Sequence, residues 1–137
     1  MTLEDQVASL ELATCLKELG MKQESYFKWF CTNKKYAHLA HDWSDISKTL
    51  FEEIRTDFPA FTVAELGEML RETYYSKWET SWDSIGDNWR GSLNTGTTND
   101  GQLIHHWVDA DTEADARAKM LIYLFENNLL PHYHHYT

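Results

Sequence analysis

The chain has 137 residues, of which 42% are hydrophobic and 14% aromatic, so it is long enough for one domain that buries roughly two thirds of its unfolded surface. Its 12 basic and 22 acidic residues give a formal net charge of -10, and we therefore expect no direct binding to nucleic acid or to a membrane surface. The two cysteines, Cys15 and Cys31, make no disulfide framework, no signal peptide is recognised and no apolar run approaches the ~20 residues that cross a bilayer, so we expect a cytoplasmic protein.

The N-terminal third predicts a helix followed by a strand. The apolar residues of the helix recur at steps of three and four, which is the helical period. They are Leu3, Val7, Leu10, Ala13, Leu16 and Leu19. Ser9 is a candidate internal N-cap and Gly20 a left-handed stop, so residues 10–19 form the firmer part of the helix. Residues 25–31 alternate around large aromatic side chains and predict a strand.

The middle of the chain predicts two short helices. The first covers about residues 44–55, with Ser44 as N-cap and Pro59 closing the element, whereas residues 36–43 are either loop or a further short helix. The second follows Thr62-Val-Ala-Glu65, the pattern in which the threonine and glutamate side chains cap the helix reciprocally.

The C-terminal half predicts three antiparallel strands and a long final helix. Alternating residues and turn signals place the strands at 74–82, 88–93 and 103–108. Thr112 is the predicted N-cap of the last helix, and acidic residues in its first turn suit the helix dipole. We therefore predict an α+β fold with an antiparallel sheet of about four strands and three to four helices packed mainly on one face.

No repeat and no linker divides the chain. We expect a single α+β domain over residues 1–130 and a flexible tail, rich in histidine and tyrosine, over residues 131–137.

Three blocks of the sequence together resemble a group of small uncharacterised proteins encoded in phage and prophage regions of gut bacteria. The blocks are Ser9-Leu-Glu-Leu-Ala13 with Leu16-Lys-Glu-Leu-Gly-Met-Lys-Gln-Glu-Ser25, then Ala60-Phe-Thr-Val-Ala-Glu-Leu-Gly-Glu-Met-Leu70, then Thr112-Glu-Ala-Asp-Ala-Arg-Ala-Lys-Met-Leu-Ile-Tyr-Leu-Phe-Glu-Asn127. Each block is a packing or capping motif, so the resemblance implies origin and fold more than activity. It also implies that the regions between the blocks, 32–58 and 73–101, determine which partner the protein binds.

The histidines and cysteines predict neither a metal site nor a catalytic centre. His105 and His106 are adjacent in a predicted strand and point to opposite faces, while His38 and His41 have a workable helical spacing without an acidic or cysteine partner. The histidines of the tail favour adventitious metal binding only; they are His132, His134 and His135. No known catalytic motif is present, both cysteines are most simply small buried hydrophobes, and we expect no cofactor. These observations disfavour enzymatic activity and leave open an acid/base pair that only folding brings together.

The aromatic excess is the more informative feature. Trp78, Trp82, Trp89 and Trp107 concentrate on the predicted sheet, where the ordinary outcome is burial under the helices. The alternative is an exposed aromatic patch rimmed by carboxylates, which would bind a protein partner.

Three functional hypotheses follow. The leading one is a non-enzymatic, phage-type accessory protein that binds a host or phage protein, for example as an acidic inhibitor of a host defence or nucleic-acid-handling factor. The second is a small hydrolase or metal-dependent enzyme, which requires a pocket holding at least two of His38, His41, His105 and His106 beside a carboxylate. The third is a structural or self-associating virion or prophage component, with a homodimer built on an exposed strand edge.

Overall fold

The computed structural model describes residues 2–22, 24–32, 37–41, 46–72, 78–127 and 129. After a 3-10 turn at Leu3–Gln6, its elements are α1 (Leu10–Glu18), β1 (Phe27–Thr32), β2 (Ala37–Ala40), α2 (Lys48–Glu53), β3 (Ile54–Ala60), α3 (Val63–Arg71), β4 (Trp78–Asp83), β5 (Asn88–Thr97), β6 (Leu103–Ala110) and α4 (Glu113–Glu126). The predicted α+β class is confirmed. The described strands, however, form two antiparallel sheets of three strands, in the orders β2-β1-β3 and β4-β5-β6.

The N-terminal sheet contains the two strands that the sequence did not predict. The sequence allows either a loop or a short helix over residues 36–43, but residues 37–40 form strand β2 and pair with β1. The helix predicted over 44–55 is confined to Lys48–Glu53, because the chain turns at Ile54 into strand β3. The prediction that Pro59 closes a helix is therefore wrong. Pro59 lies within β3, opposite Lys28 of β1. Since β3 is an edge strand, the missing proline N–H is tolerated there.

Three of the predicted N-caps, Ser9, Thr62 and Thr112, are confirmed. The Ser9 hydroxyl accepts a hydrogen bond from the Leu12 N–H, so α1 begins after Ser9, and Gly20 beyond its end has a φ of 92°. Thr62 and Glu65 form the reciprocal capping box at the start of α3. Thr112 caps α4 by accepting the Asp115 N–H. These contacts join residues three apart, which is why sequence spacing predicted them.

Helix α4 is central to the core. It lies on the sheet β4-β5-β6 and packs against α1 and α3, while α1 also contacts β3. Gly91 of β5 permits this close approach, since a Cβ atom there would lie 2.9 Å from both the Met120 Sδ and the Val108 Cγ2. Among the described residues, the largest fully buried side chains are Phe30, Phe61, Leu16, Met21, Leu66, Met69, Leu70, Leu93, Met120, Leu121 and Leu124.

Four sequence predictions lie partly or wholly outside the described residues: both ends of the segment 36–43, Ser44 as an N-cap, the start of the strand predicted at 74–82, and the tail at 131–137. Within the described part of the chain, no helix is both long and apolar enough to cross a membrane.

Candidate functional site

The four tryptophans predicted to bind a partner divide between the two faces of the C-terminal sheet. Trp82 pairs directly with Trp89, and Trp78 pairs with the buried Leu93, so these three indoles lie on the face that α4 covers. Trp107 pairs with Ser92 and projects from the opposite, open face. The tryptophans therefore do not form one patch, and each must be considered by its own surroundings.

Trp78 belongs to the packing between β4 and the helices. Its ring packs against the hydrophobic core, and the Arg117 guanidinium lies 5.0 Å from its centroid. Arg117 also donates to the Val63 carbonyl at 2.8 Å and to the Glu113 carboxylate at 3.1 Å. Removing Trp78 would disturb this junction of α3, α4 and β4, so its role is explained by the fold.

Trp82 and Trp89 form an aromatic pair at the end of the β4–β5 hairpin. Their ring centroids are 5.9 Å apart at an interplanar angle of 71°, an edge-to-face arrangement. Trp82 is 50% exposed, and Ile85 in the turn between the strands is 97% exposed. The hairpin therefore presents two large apolar side chains to solvent beyond the part of the sheet that α4 covers.

A cavity of about 350 Å³ lies beside this pair, and we call it the hairpin cavity. It is lined by Asp5, Val63, Trp89, Asp111, Thr112 and Glu113. Trp89 and Val63 supply apolar walls, while the 3-10 turn, the β6–α4 junction and the first turn of α4 supply the three carboxylates. The arrangement combines an aromatic surface with negative charge, which is the combination that binds an organic cation.

The carboxylates of the hairpin cavity are only partly neutralised. Asp5 accepts hydrogen bonds from the Thr2 amide and hydroxyl, which carry no charge. Glu113 is paired with Arg117. Asp111 is exposed, and within the described residues its carboxylate forms neither a hydrogen bond nor an ion pair. Of the three carboxylates, Glu113 alone is in an ion pair among the described residues, so the cavity keeps an excess of negative charge.

A second cavity of about 330 Å³ adjoins the first through Asp111. Its lining includes the Asp109, Asp111 and Asp115 carboxylates and the Lys119 ammonium group. Burial, the largest cause, raises the pKa of the Asp115 carboxyl, although that carboxyl accepts the Ser9 N–H at 2.7 Å. Both cavities thus extend one acidic surface around the N-terminus of α4.

Among the described histidines, His105 and His106 are not brought together. His105 stacks on Trp107 on the open face, with ring centroids 5.9 Å apart, whereas His106 stacks on Tyr123 of α4 at 3.5 Å. The prediction that they point to opposite faces is confirmed. The helical interpretation of His38 and His41 is wrong, because His38 lies in strand β2 and His41 follows it.

The described residues offer little to the hydrolase hypothesis. A cavity of about 380 Å³ holds His38 and Glu4, which is one histidine where that hypothesis requires two. Among the described residues, no group of three or more histidine, cysteine, aspartate or glutamate side chains is placed to hold a metal ion. Burial raises the pKa of both the Cys15 and Cys31 thiols, and a raised thiol pKa disfavours the nucleophilic thiolate. The tail histidines lie outside the described residues.

The hairpin cavity was missed because its lining comes from distant segments. Asp5, Val63 and Trp89 belong to three separate elements, and no local spacing records that they meet. The only local signal is the run Asp111-Thr112-Glu113, whose density of carboxylates exceeds what a helix N-cap requires. Comparison of the chain with protein-family models, with curated proteins and with solved structures finds no match.

Proposed function

We propose that this protein acts without catalysis, by binding a basic segment of another protein at the hairpin surface, by which we mean Trp82, Ile85 and the hairpin cavity. The observation that carries the proposal is the half-exposed Trp82 set edge-to-face on Trp89, which itself lines a cavity with unneutralised carboxylates. The fitting occupant is a lysine or arginine side chain entering the cavity, with an apolar neighbour resting on Trp82 and Ile85.

The exposed apolar residues favour a protein partner over a small cation. A small ligand would be satisfied by the cavity alone and would leave Trp82 and Ile85 in water, where they are 50% and 97% exposed. A polypeptide can cover both features at once, because a basic residue can enter the cavity while an apolar residue of the same chain lies on Trp82 and Ile85. Phosphate-rich partners are disfavoured by the Asp5 and Asp111 carboxylates and by the net charge of -10.

The test is selection from a random peptide library displayed against the immobilised full chain. We expect enrichment of peptides with lysine or arginine beside an apolar residue. Calorimetry on a selected peptide should show an affinity loss of about tenfold or more for Trp82→Ala, as for an interface hot spot. Asp111→Asn should weaken binding more at low salt than at high salt, because it removes an exposed charge.

The matched control is Tyr26→Ala, which removes an aromatic side chain of similar exposure, 59%, before strand β1 of the other sheet. It should leave peptide affinity unchanged. Enrichment of acidic or purely apolar peptides, or equal losses for Trp82→Ala and Tyr26→Ala, would count against the proposal.

The narrower role predicted from the sequence, an acidic phage-type inhibitor of a host defence or nucleic-acid-handling factor, stays a prediction within this proposal. It is supported by the acidic surface around the N-terminus of α4, since such a surface suits a basic groove that normally holds nucleic acid.

A further inference from the structure

Strand β6 forms one edge of the C-terminal sheet. It runs for 8 residues and pairs with β5 on one side only, among the residues that the structure describes. Its open-face side chains His105, Trp107 and Asp109 are all exposed, and Trp107 is 57% exposed. A long edge without proline or an outward lysine is a template for pairing with another strand.

The order of side chains along β6 is self-complementary. If a second copy of β6 pairs antiparallel about Trp107, then His105 faces Asp109 of the second copy, and each Trp107 faces the other. This register repeats the imidazole–carboxylate contact on both sides of the two-fold axis. An isologous contact of this kind closes after two copies.

The other edges of the two sheets have features that make self-pairing less favourable. Self-pairing of β4 about Ser81 would oppose Glu79 to Asp83 of the second copy, a like-charge contact. In the N-terminal sheet, β3 contains Pro59 and β2 has only 4 residues, and both features discourage edge pairing. Among the described edges, β6 is therefore the one whose proposed register opposes a carboxylate to an imidazole and contains no proline.

We propose that two copies of this chain pair along β6 and join their three-stranded sheets into one continuous antiparallel sheet. The contacts already made by Asp109 are compatible with this. Its carboxylate accepts from Arg90 Nε at 3.0 Å and has lone pairs left for an imidazole. Its backbone carbonyl accepts from Lys119 Nζ at 2.6 Å, and a carbonyl oxygen can accept two hydrogen bonds.

The centre of the contact has the composition of an interface hot spot. Trp107 is stacked by His105 on its own strand, and Arg90 of β5 lies 5.8 Å from its ring. Tryptophan and arginine are the residue types enriched at such centres. In the dimer the two hairpin cavities, which adjoin the Ala110 end of β6, lie at opposite ends of the joined strands.

The test is sedimentation equilibrium of the full chain with two variants at one exposed position, His105→Glu and His105→Lys. We expect a concentration-dependent dimer. His105→Glu should raise the dissociation constant about tenfold, since it places like charges opposite each other twice per dimer. His105→Lys should retain or tighten the dimer. Glu79→Lys on the opposite edge is the control and should change nothing.

Amide hydrogen exchange on the unaltered chain provides a second measurement that needs no variant. Protection of β6 amides should rise with protein concentration, whereas that of β4 amides should not. A monomer at all concentrations would overturn the proposal. So would equal effects of His105→Glu and His105→Lys, or concentration-dependent protection on β4 in place of β6.

Discussion

The Arg117 guanidinium lies 5.0 Å from the centroid of the Trp78 ring, so a cation from α4 covers an indole from β4. The same guanidinium reaches α3, where it donates to the Val63 carbonyl. A Cβ atom on Gly67 would lie 2.5 Å from Arg117 Nη1, so the absence of a side chain there makes room for the guanidinium. One arginine thus ties three elements together beside the hairpin cavity.

Arg117→Ala is therefore expected to destabilise the fold by about 1–3 kcal/mol. It removes the cation–π contact and leaves the Val63 carbonyl and the Glu113 carboxylate without this donor. Urea unfolding measures the change. Arg71→Ala is the matched control: its pair with Glu68 is exposed on both sides, so its effect should stay within about 0.5 kcal/mol. Equal effects would show that the Trp78 junction adds no stability.

Gly91→Val tests whether the approach of α4 to the sheet depends on a missing side chain. The new Cβ atom would lie 2.9 Å from Met120 Sδ and from Val108 Cγ2, so the variant should lose about 1–3 kcal/mol by overpacking. Thermal unfolding measures this loss. Ser81→Val on exposed β4 should be close to neutral, because valine suits a strand with open space. An unchanged melting temperature for Gly91→Val would contradict the packing argument.

The sequence predicted those parts of the fold that short-range chemistry determines. The Ser9, Thr62 and Thr112 caps were found because each side chain meets a backbone N–H three residues away. Strands β2 and β3 were missed because their only reason to be extended is pairing with β1, a partner distant in sequence.

The candidate site also has a part that the sequence indicates and a part that only the folded chain shows. The alternating pattern placed Trp82 and Trp89 on a sheet, but it left open whether they are buried or exposed. Trp89 meets Asp5 and Asp111 around a cavity because the 3-10 turn packs against α4. This contact joins distant parts of the chain, so no spacing in the sequence predicts it.

Asp115 should make the fold less stable as the pH rises. Burial raises the pKa of this carboxyl above its ordinary value of 3.8, so the folded state binds more protons than the unfolded state in the window just above pH 3.8. Stability from this group is full below that window and falls as the pH rises through the folded-state pKa. The contribution of Asp115 is the difference in unfolding free energy between the parent chain and Asp115→Asn, since the contributions of the other titrating groups cancel in that difference. A difference that grows in favour of the parent chain with rising pH would contradict the prediction.

The His106 imidazole should make the fold less stable as the pH falls, which is the opposite pH dependence to that of Asp115. Burial lowers its pKa below the ordinary 6.5, because its imidazole is stacked 3.5 Å from the Tyr123 ring under α4. The unfolded state therefore binds more protons just below pH 6.5, so the stabilisation is full above 6.5 and is lost as the pH falls through the folded-state pKa.

The variant His106→Phe tests this dependence, because it keeps an aromatic ring against Tyr123 without a titrating nitrogen. The free energy of unfolding of this variant should not fall in the same pH window. His38→Phe is the control, since His38 is exposed on β2 of the other sheet, and it should retain the loss seen in the parent chain. NMR titration of the His106 ring measures the folded-state pKa directly, and a value at or above 6.5 would contradict the burial argument.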